Sequence, residues 1–136
     1  MSNEANASAE TRVRAAWSRV TYSETGQTLA GPCYVVISAE DHPTAGSTIF
    51  MQHGRSKEVV FAAALAFTDA RLKEVRQIEQ EIDFCQSYVR WFEKGEQAED
   101  RQQEAIHKRT LARLQRIRDE ARRGLRQNSK RSTEDV

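Results

Sequence analysis

The chain has 136 residues, of which 38% are hydrophobic and 30% charged, enough for one domain with a single modest core. Its mean hydropathy is −0.74, and its uncharged apolar stretch at residues 59–68 is half the length of about twenty residues that a membrane-spanning helix needs. Only six glycines and two prolines are present, which favours long helices over a loop-rich or all-β fold. The first ten residues have neither the basic nor the apolar region of a secretory signal, and Cys33 and Cys85 do not form a disulfide framework. We therefore expect a cytoplasmic protein without a transmembrane helix.

The net charge of +1 conceals a strong asymmetry along the chain. Residues 1–56 carry a net charge of −1, residues 57–100 a net charge of −4, and residues 101–136 a net charge of +6. An acidic segment followed by a basic one is typical of two antiparallel helices that neutralise each other where they meet. It is also typical of a protein whose cationic face binds a nucleic-acid backbone or an acidic partner protein.

The change in residue pattern along the chain predicts an α+β fold. We expect a small three-stranded antiparallel β-meander, packed on the start of a long α-helix, which forms an antiparallel, coiled-coil-like hairpin with a second, basic helix. The predicted segments are a disordered N-terminal tail (1–12), the β-meander (13–54), the helical hairpin that forms one domain with it (55–127) and a disordered C-terminal tail (128–136).

Three short runs predict the strands of the meander. The residues Cys33–Ser38 are β-branched, aromatic and uninterrupted, as is typical of a buried strand. Trp17, Val20 and Tyr22 fall in a preceding strand, and residues 47–52 form a following one. Turn or loop signals separate the runs at 24–27, 31–32 and 41–46.

A long helix is predicted from about residue 57 to residue 94, because no proline or glycine occurs between Gly54 and Gly95. Ser56 is placed to cap its N-terminus. Apolar residues recur along this helix at steps of three and four, close to the heptad spacing of about 3.5 that is typical of coiled coils. These seam residues are Phe61, Leu65, Thr68, Leu72, Val75, Ile78, Ile82, Cys85, Val89 and Phe92.

A second helix is predicted from about residue 97 to residue 127, after Gly95, which is suited to the left-handed position that often ends a helix. The short break between the two amphipathic helices predicts an antiparallel hairpin. Arg118 intrudes among the apolar residues, and we expect Glu79 of the first helix to pair with it. The apolar arc of the second helix contains Ile106, His107, Thr110, Leu111, Leu114, Ile117, Ala121 and Leu125.

Three large aromatic residues lie outside the seam. Phe84, Tyr88 and Trp91 are about 100° around the first helix from the seam, and the opposite part of the second helix, 98–105, is small and polar. Because Tyr and Trp bury much area at low entropic cost, such clusters anchor interfaces. The rings are expected to be covered by the sheet or N-terminal segment of the same chain, by a second copy in a four-helix arrangement, or by another protein. Together with Phe92 they form the predicted protein interface.

The second helix also carries a basic arc. Four of its arginines, at positions 109, 113, 116 and 123, fall within roughly 80° of the helical wheel, an alignment that could follow a phosphate backbone. No aromatic residues alternate with them for base stacking, so we expect any nucleic-acid binding to be independent of sequence. The alternative interpretation is a solvated helix face. The candidate residues for binding nucleic acid or an acidic partner are Arg109, Arg113, Arg116, Arg122, Arg123 and Arg126.

No constellation typical of catalysis occurs in the sequence. His42, His53 and His107 fall in three different elements, and neither they nor the two cysteines have the spacing of metal ligands. His107 is expected to be a packed residue rather than a ligand. Phosphate-binding, dinucleotide-binding and nucleophile-elbow motifs are absent. We therefore expect a protein that is not an enzyme and has no cofactor, metal or small-molecule substrate.

One short stretch resembles the strand-to-helix corner of double-stranded-RNA-binding domains. The resemblance covers His53-Gly54-Arg55-Ser56-Lys57-Glu58 and the alanines that follow. In that family, paired lysines after the serine grip phosphates across the major groove. Here the second lysine position is Glu58 and one strand is missing, so the function of that family is not inferred.

A second resemblance concerns architecture. A hairpin with Glu96, Glu99 and Asp100 at its turn is similar to the factors that insert an acidic coiled-coil tip into the secondary channel of RNA polymerase. That resemblance implies that the tip carboxylates act on the catalytic magnesium ion.

These features predict a small regulatory protein that acts by protein–protein interaction through its helical hairpin, as a homodimer. In type it is similar to phage or plasmid inhibitors of host or defence nucleoprotein machines. Sequence-nonspecific binding of nucleic acid by the basic helix is the first alternative. A transcription factor of the RNA polymerase secondary-channel type is the second.

Overall fold

The computed structural model describes residues 2–24, 29–39 and 47–126, and its side chains from Ala9 onward. The elements follow in the order α1 (Ser2–Ala16), β1 (Arg19–Glu24), β2 (Cys33–Ser38), β3 (Thr48–Gly54), α2 (Lys57–Glu93) and α3 (Ala98–Ala121). The strands form one antiparallel sheet in the order β1-β2-β3. The predicted α+β class, with its β-meander and its helical hairpin, is therefore confirmed.

The chain divides into two compact units. Unit 1 contains the described residues up to Ala70 together with those from Arg123 onward, and unit 2 is Arg71–Arg122. The helix α2 contributes its first turns to unit 1 and the remainder to unit 2. None of the helices among the described residues is both long and apolar enough to cross a membrane.

The core of unit 1 lies between the sheet and the start of α2. Alternate side chains of a strand point to the same face, and Cys33, Val35 and Ile37 of β2 are accordingly buried together with Val60 and Phe61 of α2. The N-terminus of α2 is capped as expected from the sequence. The Ser56 hydroxyl accepts a hydrogen bond from the Val59 backbone N–H at 3.3 Å, which satisfies one of the free donors of the first turn.

The predicted disordered tail at 1–12 is wrong, because α1 occupies this region. Ala9, Val13 and Ala16 of α1 are buried in the core of unit 1. Their spacing of four and three places them on one side of a helix. The pattern is hard to recognise in the sequence because two of the three residues are alanines, whose small side chains contribute little hydrophobicity of their own.

Trp17 lies directly after α1 rather than inside a strand. It is fully buried, and its Nε1–H donates a hydrogen bond to the Thr68 hydroxyl oxygen at 2.8 Å. Its ring stacks on Phe67 with 5.8 Å between ring centroids, and its backbone pairs with that of Leu125. The indole therefore ties α1, α2 and the segment that follows α3 together within unit 1.

In unit 2, α2 and α3 form the helical hairpin. All ten seam residues predicted in α2 are buried or half-buried, so the heptad-like seam is confirmed. The fully packed part in unit 2 consists of Val75, Ile78, Ile82, Cys85 and Val89.

The helix α3 ends at Ala121, six residues before the predicted end at 127. Its C-cap residue is Arg122, whose backbone N–H donates to the Arg118 carbonyl at 2.9 Å. Gly124 then adopts a φ of 83°, a left-handed conformation that favours glycine, and its carbonyl accepts from the Ser18 N–H at 2.9 Å. The helix therefore ends before Leu125, although the amphipathic pattern continues through that residue.

The connection between α2 and α3 differs from the predicted one. Gly95 does not have a positive φ among the described residues, where only Gly31 and Gly124 do. Glycine at position 95 leaves room for the Asp100 carboxylate, which a Cβ atom there would displace. That carboxylate accepts a hydrogen bond from the Gln97 N–H at 2.9 Å, at the start of α3.

Arg101 fixes the end of α2, a role that the sequence analysis does not assign. Its guanidinium donates to the carbonyl oxygens of Phe92, Glu93 and Gly95 at 2.5, 3.1 and 2.7 Å. The last carbonyls of a helix have no partner within the helix, and a cation near them is favourable. The aromatic end of α2 is therefore held by a side chain of α3.

Three predicted segments lie outside the described residues, at least in part. They are the turn at 24–27 (from residue 25), the loop at 41–46 and the tail at 128–136.

Candidate functional site

The three aromatic residues outside the seam remain exposed in the single chain. Phe84, Tyr88 and Trp91, here called the aromatic row, have 68, 47 and 74% of their surface accessible. Together with Ser87 they line a shallow depression on α2. No other part of unit 2 covers them, so the hairpin by itself leaves the three rings exposed.

The fourth predicted interface residue, Phe92, belongs to the seam and is half-buried. Its ring lies 5.5 Å from that of His107 on α3, with an angle of 9° between the ring planes. His107 also stacks on Tyr88 at 5.0 Å and 12°. His107 is thus a packed residue, as expected, and it joins the aromatic row to the seam. Burial raises the pKa of the neighbouring Cys85 thiol, whose Sγ contacts the His107 carbonyl oxygen at 3.1 Å.

Ion pairs join the two helices along one edge of the hairpin. Glu79 pairs with Arg122, and the Glu93 carboxylate lies 4.0 Å from the Lys108 ammonium group. The predicted partner of Glu79 was Arg118, which is wrong. Arg118 pairs with its neighbour Asp119 at 3.2 Å instead. Arg118 lies nearer the apolar arc of α3, but it is Arg122 that projects toward the edge on which Glu79 lies. We refer to these four residues, Glu79, Glu93, Lys108 and Arg122, as the ion-paired edge.

The aromatic row lies on the opposite edge. At 100° per residue, Glu79 and Tyr88 are each about a quarter turn from the centre of the seam, in opposite directions. The same construction on α3 places Lys108 on the ion-paired edge and Ile106 and Ile117 on the other. Both isoleucines are exposed, with 45 and 42% of their surface accessible.

The exposure of these isoleucines differs from the prediction that they face α2 across the seam. The apolar arc of α3 is wider than the contact that one neighbouring helix can bury. The width of that arc is the feature of the sequence from which the exposure of Ile106 and Ile117 could have been predicted. The aromatic row together with Ile106 and Ile117 is here called the apolar edge.

Three of the six candidate arginines form a second surface. Arg109, Arg113 and Arg116 are exposed on one side of α3 and are here called the arginine row. Within the described part of the chain no carboxylate pairs with them. The other cationic side chains of α3 are all paired, with the following partners: Arg101 with Glu104 at 2.6 Å, Lys108 with Glu104 at 2.8 Å, and Arg118 with Asp119.

The remaining three candidate arginines do not extend this row. Arg122 caps α3 and pairs with Glu79. Arg123 and Arg126 follow the end of α3 and belong to unit 1, where the Arg126 guanidinium donates to the Arg14 carbonyl at 2.9 Å. Arg123 was aligned with the row on a helix predicted to reach residue 127, whereas α3 ends at Ala121; the alignment of Arg123 stays a prediction.

The carboxylate of Glu104 has its pKa lowered, first by the hydrogen bond from Lys108 and also by the charges of Arg101 and Lys108. The pKa of Lys108 is raised by the same contact. Glu104 and Lys108 therefore stay ionised at neutral pH and form an ion pair. The three cations of the arginine row have no such partner among the described residues.

The described residues contain no group of three or more histidine, cysteine or acidic side chains that could hold a metal ion. His42 lies outside the described residues, and the ring of His53 contacts that of Tyr34 in a tilted arrangement with 5.3 Å between ring centroids. At the hairpin turn, Asp100 is engaged in the cap of α3, while Glu96 and Glu99 are exposed. The three carboxylates of the turn therefore differ in their local roles.

No protein-family model, curated protein or solved structure matches this chain.

Proposed function

We propose that the protein is a non-enzymatic regulatory protein that binds another protein through the apolar edge of its hairpin. The observation that carries this proposal is the exposure of three large aromatic side chains on α2, outside the seam that packs against α3. Exposed apolar patches on soluble proteins often mark interaction sites, and Tyr and Trp are enriched among the residues that dominate interface energies.

The hairpin supports this role mechanically. The Arg101 guanidinium holds the C-terminal carbonyls of α2, and the rings of Tyr88 and Phe92 stack on His107. A surface that is already ordered before binding loses less conformational entropy when the partner arrives. The apolar edge is therefore suited to binding without rearrangement.

Site-specific photo-crosslinking tests the proposal. A photoreactive phenylalanine analogue replaces Phe84 or Trp91 in one set of variants, and Asp83 or Arg90 in a matched set. Each control position is exposed, is next to a test position in the sequence and lies about 100° from it around α2. In the cells that produce the protein, adducts are expected from positions 84 and 91 only. Equal crosslinking from both sets, or from neither, would refute the proposal.

The arginine row supports a second function, the binding of nucleic acid without sequence preference. It is carried by the three exposed arginines that lack carboxylate partners while the other cationic side chains of α3 are paired. Phosphate backbones attract such rows, and the affinity then falls steeply with salt concentration.

Fluorescence anisotropy with a labelled 30-base-pair duplex of random sequence tests this second function. Changing Arg109, Arg113 and Arg116 to glutamate should abolish binding. A matched control changes three exposed cationic residues of α2 to glutamate, with the same change in net charge, and should retain most of it; these are Lys73, Arg76 and Arg90. Equal losses in both variants would show that net charge alone, and not the row, accounts for binding.

A further inference from the structure

The apolar edge has two rows of side chains, one on each helix of the hairpin. The aromatic row belongs to α2, and Ile106 and Ile117 belong to α3. Packed helices lie about 8–10 Å apart. A partner that itself presents a pair of helices at this spacing can lie against both rows at once.

The area of the edge is close to what a stable pair of identical chains needs. Full-sized aromatic side chains bury about 150–250 Å² each, so the exposed fractions of the three aromatic residues and the two smaller isoleucines amount to about 500 Å² per copy. Complete burial of these residues in two copies removes about 1,000 Å² from solvent, and flanking contacts supply the remainder of the roughly 1,200–2,000 Å² that is typical of specific interfaces.

The charge distribution also permits self-association. A two-fold interface brings the same surface of both copies together, so a charged edge would meet its own like charges. The five residues of the apolar edge carry no charge, and the interhelical ion pairs are on the opposite edge. The exposed charged residues in line with them, Glu81 three residues before Phe84 and Arg113 four residues before Ile117, have opposite signs. The heptad-like seam beneath the apolar edge is the packing found in four-helix bundles.

We infer that the partner at the apolar edge is a second copy of this chain, and that two hairpins pack into a four-helix arrangement through their apolar edges. This inference rests on the proposed function, since it names the partner of the same surface. The ion-paired edge stays outside the interface, as do Arg109 and Arg116, whereas Arg113 flanks it because this residue lies in line with Ile106 and Ile117 on α3.

Sedimentation velocity of the full chain, from 1 to about 200 μM, tests the inference. The wild type is expected to sediment as a dimer, at twice the chain mass of 15.5 kDa. The double variant Phe84→Gln, Trp91→Gln should weaken dimerisation at least tenfold, because it removes the most exposed rings while keeping a good helix former at each position. The matched control Asp83→Gln, Arg90→Gln should dimerise like the wild type.

Two outcomes overturn the inference. One is a wild type that stays monomeric over the whole range, and the other is a dimer that the Phe84 and Trp91 changes do not weaken. Circular dichroism of each variant checks that the helices are intact. The masses of the crosslinked adducts distinguish the two proposals. If positions 84 and 91 give a specific adduct whose mass is not twice that of the chain, the proposed function is supported and the second copy is refuted. Loss of position-specific adducts refutes both.

Discussion

The buried hydrogen bond between Trp17 and Thr68 gives a sharp test of how unit 1 is held together. The indole N–H donates to the Thr68 hydroxyl, and that hydroxyl donates in turn to the Ala64 carbonyl at 2.7 Å. Both Trp17 and Thr68 are almost fully buried. Thr68→Val keeps the shape of the side chain and removes the only acceptor that the structure shows for the indole among the described residues.

The expected cost follows from the asymmetry of buried hydrogen bonds. Leaving a buried donor without a partner costs about 1–3 kcal/mol, whereas the Ala64 carbonyl keeps its place in the helical hydrogen-bond pattern. Thr68→Val should therefore lower the free energy of unfolding by about 2 kcal/mol. Trp17→Phe removes the donor and also leaves a cavity, so it should cost about 1–3 kcal/mol by itself.

The double variant isolates the hydrogen bond. Once Trp17 is replaced by Phe, no indole N–H remains to be stranded, and adding Thr68→Val should cost less than about 0.5 kcal/mol. Urea unfolding followed by circular dichroism supplies the four free energies of the cycle. Thr68→Ser, which retains the hydroxyl, serves as the control for the donor and acceptor. If Thr68→Val costs the same in both backgrounds, the hydrogen bond does not stabilise the fold and the reasoning is wrong.

Three further predictions concern pH and backbone conformation. Burial raises the pKa of the Cys85 thiol. The contribution of this thiol to the free energy of unfolding is therefore complete below the unfolded thiol pKa of about 8.5, and it is lost as the pH rises through the folded pKa. Urea unfolding from pH 7 to 10 should show a larger loss of stability for the wild type than for Cys85→Ala, and parallel curves would contradict this. The pKa of Glu104 is lowered, chiefly by the hydrogen bond from Lys108. Its contribution to the free energy of unfolding is therefore present above the unfolded pKa of about 4.3 and is lost as the pH falls through the folded pKa. Glu104→Gln should flatten the decrease in stability at acidic pH in the same measurement, and an unchanged decrease would show that the pair is not coupled to folding. Gly124→Ala should lower the free energy of unfolding by about 1–2 kcal/mol, because φ is positive there and a Cβ atom would meet Ile49; a neutral effect would mean that the turn relaxes.

The sequence predicted the hairpin well because its information is periodic and local. Steps of three and four identify the seam of α2, and Ser56 marks where that helix begins, as the structure confirms. The aromatic row followed from the same wheel, since Phe84, Tyr88 and Trp91 lie outside the stripe that one neighbour can cover. Their exposure in the single chain agrees with that reasoning.

The errors occur where partners far apart in the sequence decide the outcome. α1 is built on a stripe containing two alanines, which is apolar enough for packing only because the sheet and α2 supply the rest of the core. The end of α3 depends on the Gly124 turn and on the backbone pairing of Trp17 with Leu125, neither of which affects hydrophobic periodicity.

The sequence by itself determined the class of fold, the seam of the hairpin and the surplus of aromatic residues on α2. Only the tertiary structure decided that Glu79 pairs with Arg122, that Arg101 holds the end of α2 and that α3 ends at Ala121, so that three of the six candidate arginines lie on it. The physical reason is that periodicity fixes the direction of each side chain around its own helix. Which of several similar charges or rings meets a given partner depends on where the helices end and how they are aligned with each other.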